Sequence, residues 1–85
     1  MTQVDKRLQK MQQNPRDWRI EDIQAVATYL GIDWIHDGGS HVIFRSPYGE
    51  YLSIPAHRPI KPIYITKFLA LVRSVQESTN ATTSN

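Results

Sequence analysis

Ile32-Asp33-Trp34-Ile35-His36-Asp37-Gly38-Gly39-Ser40-His41-Val42-Ile43-Phe44-Arg45 reads as a β-hairpin and sets the fold. Residues 32–36 are rich in β-formers, residues 37–40 are turn formers, and residues 41–45 resume an apolar strand. Two glycines and a serine make a tight turn that delivers His41 to the first position of the second strand. Glycine serves where φ must be positive or where backbone must approach something closely. Histidine is the side chain that exchanges a proton near neutral pH. Beside a basic surface, this combination points to a site for a phosphate-bearing molecule.

Outward from the hairpin, Ser46-Pro47-Tyr48-Gly49 is a second turn and residues 50–54 a third strand. Side chains alternate along a strand, so Val42 and Phe44 share one face while His41, Ile43 and Arg45 take the other. Val42 and Phe44, with Leu52 and Ile54, make the better core set. The opposite face then shows His41, Arg45, Tyr51 and Ser53 to solvent. A segment with Pro55, Pro59 and Pro62 leads to a last helix, where Ile65, Phe68, Leu69, Val72 and Val75 recur at helical spacing.

Toward the N-terminus, Ile20, Ile23, Val26, Ala27 and Leu30 form the stripe of another helix. Glu21 and Asp22 lie in its first turn, and Gly31 is placed to stop it. Val4, Leu8 and Met11 mark a shorter helix, broken at Asn14-Pro15. The order is (α)-α-β-β-β-α: an α+β, two-layer sandwich with a three-stranded antiparallel sheet packed on helices. Residues 1–16 read as a short helix and linker, residues 17–76 as a single domain, and residues 77–85 as a disordered polar tail. Trp18 and Trp34 are expected in the core.

With 85 residues and no cysteine, the chain builds one small core without disulfides or thiolate metal sites. No apolar run approaches the roughly 18 residues of a membrane span, and the polar N-terminus does not read as a signal peptide. A cytoplasmic protein is expected. The net charge of +2 conceals segregation. Residues 1–19 hold five bases against two acids, residues 20–38 hold four acids and no base, and residues 39–75 hold five bases against one acid. A basic C-terminal half carrying His41 favours an anionic partner, of which nucleic acid is the commonest.

Gly39-Ser40-His41-Val42-Ile43-Phe44, then the strand end Leu52-Ser53-Ile54-Pro55, then Lys61-Pro62-Ile63-Tyr64 opening the last helix, resembles the HicA, or YcfA-like, toxin family. The match covers about residues 20–76, and Asn14-Pro15 after a short helix fits the long-form members. These are small mRNA-cleaving partners of bacterial toxin–antitoxin pairs with a fold like the double-stranded-RNA-binding domain. The resemblance implies that His41 is catalytic, that RNA lies across the sheet, and that a HicB-like antitoxin blocks the site. No cofactor, no metal and no membrane partner are expected. The chain departs from the family at the turn before the motif, which is usually basic and here reads His36-Asp37-Gly38. Asp37 would repel a phosphate unless paired with a base.

RNA cleavage without a metal needs a group to deprotonate the 2′-hydroxyl, another to protonate the leaving oxygen, and cations to offset charge at phosphorus. His41 is the candidate acid and base. If the loop is residues 37–40, His36 faces His41 across the hairpin with Cβ atoms about 5 Å apart. His36 then either shares the acid–base work, contacts phosphate, or joins His41 at a metal for which only two ligands are in sight. Gly39 and Ser40 in the turn, with Arg45, Arg58, Lys61 and Lys67, are the candidate RNA contacts. Lys61 and Lys67 open a helix, whose free N–H groups also attract anions. Lysines at the corresponding helix start of double-stranded-RNA-binding domains sit over phosphates. Tyr64 either stacks on a base or packs on Phe68. A rival reading is a non-catalytic RNA-binding module that uses the same basic surface.

Overall fold

A computed structural model describes residues 3–56 and 59–83. The elements are α1 (Gln3–Gln13), α2 (Ile20–Tyr29), β1 (Asp33–His36), β2 (His41–Arg45), β3 (Tyr51–Pro55) and α3 (Pro62–Thr83). The protein is α+β, with three helices and one antiparallel sheet of order β1-β2-β3. Among the described residues no helix is long and apolar enough to cross a membrane.

Capping chemistry sets the helix limits. Pro15 disfavours helical geometry at Asn14, where α1 has ended. At the start of α2 the Asp22 carboxylate accepts the Arg19 N–H at 3.1 Å, satisfying a donor that the helix leaves free. At its end Gly31 takes φ +77°. Its N–H reaches the Thr28 carbonyl at 3.3 Å while the Ile32 N–H reaches that of Ala27 at 2.8 Å, the paired bonds of a Schellman stop.

In the sheet, directly opposite residues share a face. Asp33 stands opposite Arg45 and Ile35 opposite Ile43. His41 stands opposite Pro55, Ile43 opposite Ser53, and Arg45 opposite Tyr51. These residues make the open face. Trp34, His36, Val42, Phe44, Leu52 and Ile54 point the other way, toward α2, which contacts β1, and α3, which contacts β3. Val42, Phe44 and Ile54 are buried there with Ile23, Val26, Ile65, Phe68, Leu71, Val72 and Val75. The Phe44 and Phe68 rings sit 5.6 Å apart at 60°, a tilted pair worth about 0.5–1.5 kcal/mol beyond area burial. On α3, Leu71 is buried and Leu69 only partly so. Helix α1 adds Leu8 and Met11 to the same core, packed against α2 and α3.

Two expectations are corrected. Trp34 is 39% exposed, because β1 is an edge strand and the indole lies against α2, its Nε1 donating to Thr28 Oγ1 at 3.0 Å. Helix α3 continues through residues 77–83, where the composition reads as a disordered tail. Each added residue closes one more hydrogen bond on an existing, packed helix, so propagation needs no new nucleus. Residues 84 and 85 lie outside the described residues.

Candidate nucleic-acid interface

The turn between β1 and β2 is built from its own polar groups. The Asp37 N–H donates to the His41 carbonyl at 3.2 Å and so closes the ladder one residue inside His36. Gly38 turns the chain at φ +83°, a conformation that an L side chain rarely adopts. The Gly39 N–H donates to Asp37 Oδ1 at 2.8 Å, and His36 Nε2 donates to the Gly39 carbonyl at 2.8 Å. Both backbone groups of Gly39 are therefore engaged within the turn. The glycines serve turn geometry: a Cβ on Gly38 would meet nothing within 4 Å, so φ alone demands glycine there.

This arrangement corrects the expected pairing of the two histidines. His36 stands opposite Val42, not His41. A shift of one residue in register sends a side chain to the other face, so His36 lies on the face opposite to His41 and holds the turn through Gly39. His41 is exposed on the open face, with Nδ1 3.2 Å from Ser40 Oγ. If Ser40 donates to Nδ1, the ring proton sits on Nε2, which then has no lone pair with which to accept a proton. If Nδ1–H donates to Ser40, Nε2 is free to accept a proton. Only the second arrangement, with Nδ1–H on Ser40, leaves Nε2 able to act as a base.

Asp37 lies beside both imidazoles. Its carboxyl is held below the ordinary aspartate value, first by the Gly39 amide, then by the His41 backbone and by the His41 and His36 rings. Asp37 therefore stays ionised in the turn, and its negative charge faces solvent beside His41.

Pro55, opposite His41, also lines a cavity of about 100 Å³ with Pro59, Lys61 and Tyr64. Lys61 immediately precedes α3, and Pro62 starts it, where a missing N–H costs nothing. Tyr64 is half-buried and packs on the core, and Lys67 Nζ lies 5.9 Å from its ring centroid. Pro55 thus links His41, across the ladder, to the cavity of Lys61 and Tyr64, with Lys67 beside Tyr64. Arg45 does not join them. It ends β2, about 13 Å from His41 at roughly 3.4 Å per residue, and lines another cavity with Asp33 and Trp34. Arg58 and His57 lie outside the described residues.

A roomier cavity, of about 410 Å³, lies away from His41 between α1 and α2 and is lined by Lys6, Arg7, Lys10, Trp18 and Asp22. The charge count of residues 1–19 hinted at it, but only helix packing assembles it. Among the described residues no group of three or more His, Asp or Glu is placed to hold a metal ion. Comparison with family models, curated proteins and solved structures finds no match for this chain.

Proposed function

We propose that this chain is an endoribonuclease toxin that cleaves mRNA in the cytoplasm, with His41 as general acid and base and no metal required. The proposal includes a double-stranded-RNA-binding-domain-like fold, the HicA-type resemblance of residues 20–76, and neutralisation by a HicB-like antitoxin. One observation carries it. His41 is exposed at the end of the open sheet face, while its opposite residue Pro55 lines the cavity of Lys61 and Tyr64. His41 and the cavity that Lys61 lines are linked through Pro55, and a proton-transfer group near a cation is what phosphodiester cleavage requires.

In the proposed reaction, His41 Nε2 removes the proton of a ribose 2′-hydroxyl. The 2′-oxygen bonds to phosphorus, the bond from phosphorus to the 5′-oxygen breaks, and the resulting imidazolium returns its proton to that oxygen. Lys61 and Lys67, with the first turn of α3, offset the charge on the phosphoryl oxygens. Ser40 orients the ring. His36, on the other face, supports the turn and takes no proton from substrate.

The test is His41→Ala. A general acid–base histidine contributes about 10²–10⁴-fold, so cleavage and growth arrest are expected to fall by that much while RNA affinity is retained. A His41→Ala chain that cleaves RNA at the parental rate removes the catalytic assignment. A parent that binds RNA and never cleaves it leaves the binding module as the function.

A further inference from the structure

The cleft between α1 and α2 is a surface that the reaction at His41 does not use. Its floor is Trp18, half-buried against the core and lining two adjoining cavities of about 410 and 310 Å³. The turn that presents the indole is braced. The Trp18 Nε1–H donates to the Asn14 carbonyl at 2.7 Å, the Arg16 N–H donates to Asn14 Oδ1 at 3.2 Å, and Asp17 sits at φ +64°. The larger cavity is cationic, with Lys6, Arg7 and Lys10 against Asp22, whereas in the smaller Lys10 and Arg16 stand against Asp17 and Asp22. Lys6 and Lys10 are exposed and four residues apart, hence on one helix face. The acid common to both cavities, Asp22, accepts the Arg19 N–H at 3.1 Å.

The cleft also adjoins the candidate site. The Trp18 carbonyl accepts the Ile60 N–H at 2.9 Å, and the neighbours of Ile60, Pro59 and Lys61, line the cavity beside Pro55 and Tyr64. One backbone bond thus ties the Trp18 turn to the segment that carries Pro59 and Lys61.

We infer that the α1–α2 cleft is a second RNA contact, which takes the backbone phosphates of a single strand on Lys6 and Lys10 and an unstacked base on Trp18. The inference rests on the ribonuclease reading, because the strand is the one whose scissile phosphate lies at His41. Phosphates along a chain match cations spaced along a groove, and an aromatic ring among them offers a base a face on which to stack.

The experiment uses His41→Ala/Trp34→Phe chain, so that RNA stays intact and Trp18 is the only indole. A 12-nucleotide single-stranded RNA is titrated at several salt concentrations with Trp18 fluorescence as readout. Quenching of Trp18 is expected. Lys6→Gln/Lys10→Gln in that background is expected to lower the slope of log K against log salt by about 1.4, two phosphates at about 0.7 each. Its unchanged melting temperature confirms the fold. An unchanged slope with RNA still bound overturns the inference and leaves the ribonuclease reading standing. No salt-dependent RNA binding by the background chain overturns both. Quenching by poly-glutamate but not by RNA overturns it in favour of an acidic protein partner.

Discussion

The two β-turns use the same kinds of residue to opposite ends. Each has a serine and a glycine at positive φ, Gly38 at +83° and Gly49 at +99°. In the β2–β3 turn Ser46 is 4% exposed, and its hydroxyl accepts the N–H groups of Tyr48 at 3.1 Å and Glu50 at 3.2 Å. The Glu50 carboxylate then accepts the Ser74 hydroxyl of α3 at 2.6 Å, tying the turn to the helix. In the β1–β2 turn Ser40 is exposed and turns to His41, the amide acceptor is the carboxylate of Asp37, and every residue from Asp37 to His41 faces water. One turn is anchored to the helix. The other leaves His36, Asp37 and His41 in solvent, held by bonds within the turn and by the Ala56 N–H on the Ser40 carbonyl at 2.7 Å.

The widest separation between the turns is expected from their serines. Ser46→Ala removes two hydrogen bonds, at about 0.5–1.5 kcal/mol each, and should cost about 1–3 kcal/mol. Each kcal/mol lowers the melting temperature of a domain this size by about 4–8 °C, while cleavage by the folded fraction is retained. Ser40→Ala should leave melting unchanged and slow cleavage by loosening the His41 ring. Equal stability losses from the two variants would erase the contrast.

Next come the glycines. Gly38→Ala and Gly49→Ala each force an L side chain into positive φ with no steric contact within 4 Å, so both should cost about 1–2 kcal/mol. Only Gly38→Ala is expected to lower the cleavage rate of folded protein, because it moves the His41 backbone. Matched rate losses would mean that the anchored turn also shapes the site.

A smaller effect is expected from acid. Asp37 has a lowered folded-state pKa, so its contribution is present above the ordinary aspartate value, about 3.9, and is lost as pH falls through the folded value. Melting measured from pH 6 down to pH 2 should decline less in Asp37→Asn than in the parent below about pH 4, since an asparagine oxygen still accepts the Gly39 amide. Parallel curves would mean that the carboxylate charge does nothing for the turn.

The contrast also explains what was legible in the sequence. Period-two alternation separates Val42 and Phe44 from His41 and Arg45, because one face of β2 is buried and the other is not. The α+β class and the three antiparallel strands follow from such local patterns. The register at Asp37 does not, since whether a turn closes at His36 or one residue later depends on the Asp37–His41 backbone bond. That single bond sends His36 to the other face. Trp34 has the composition of a core residue but sits on an edge strand, and strand order is a tertiary property. The grouping of Lys61 and Tyr64 with Pro55 likewise arises from how α3 meets the sheet.

The most direct measurement is cleavage of a short RNA by the purified parent chain in excess EDTA, beside the same RNA carrying one 2′-deoxynucleotide on the 5′ side of the bond that is cut. Cleavage of the first, with a 2′,3′-cyclic phosphate end, and an intact bond in the second are expected. No cleavage above the buffer rate, or equal cleavage of the deoxy-substituted bond, would contradict it.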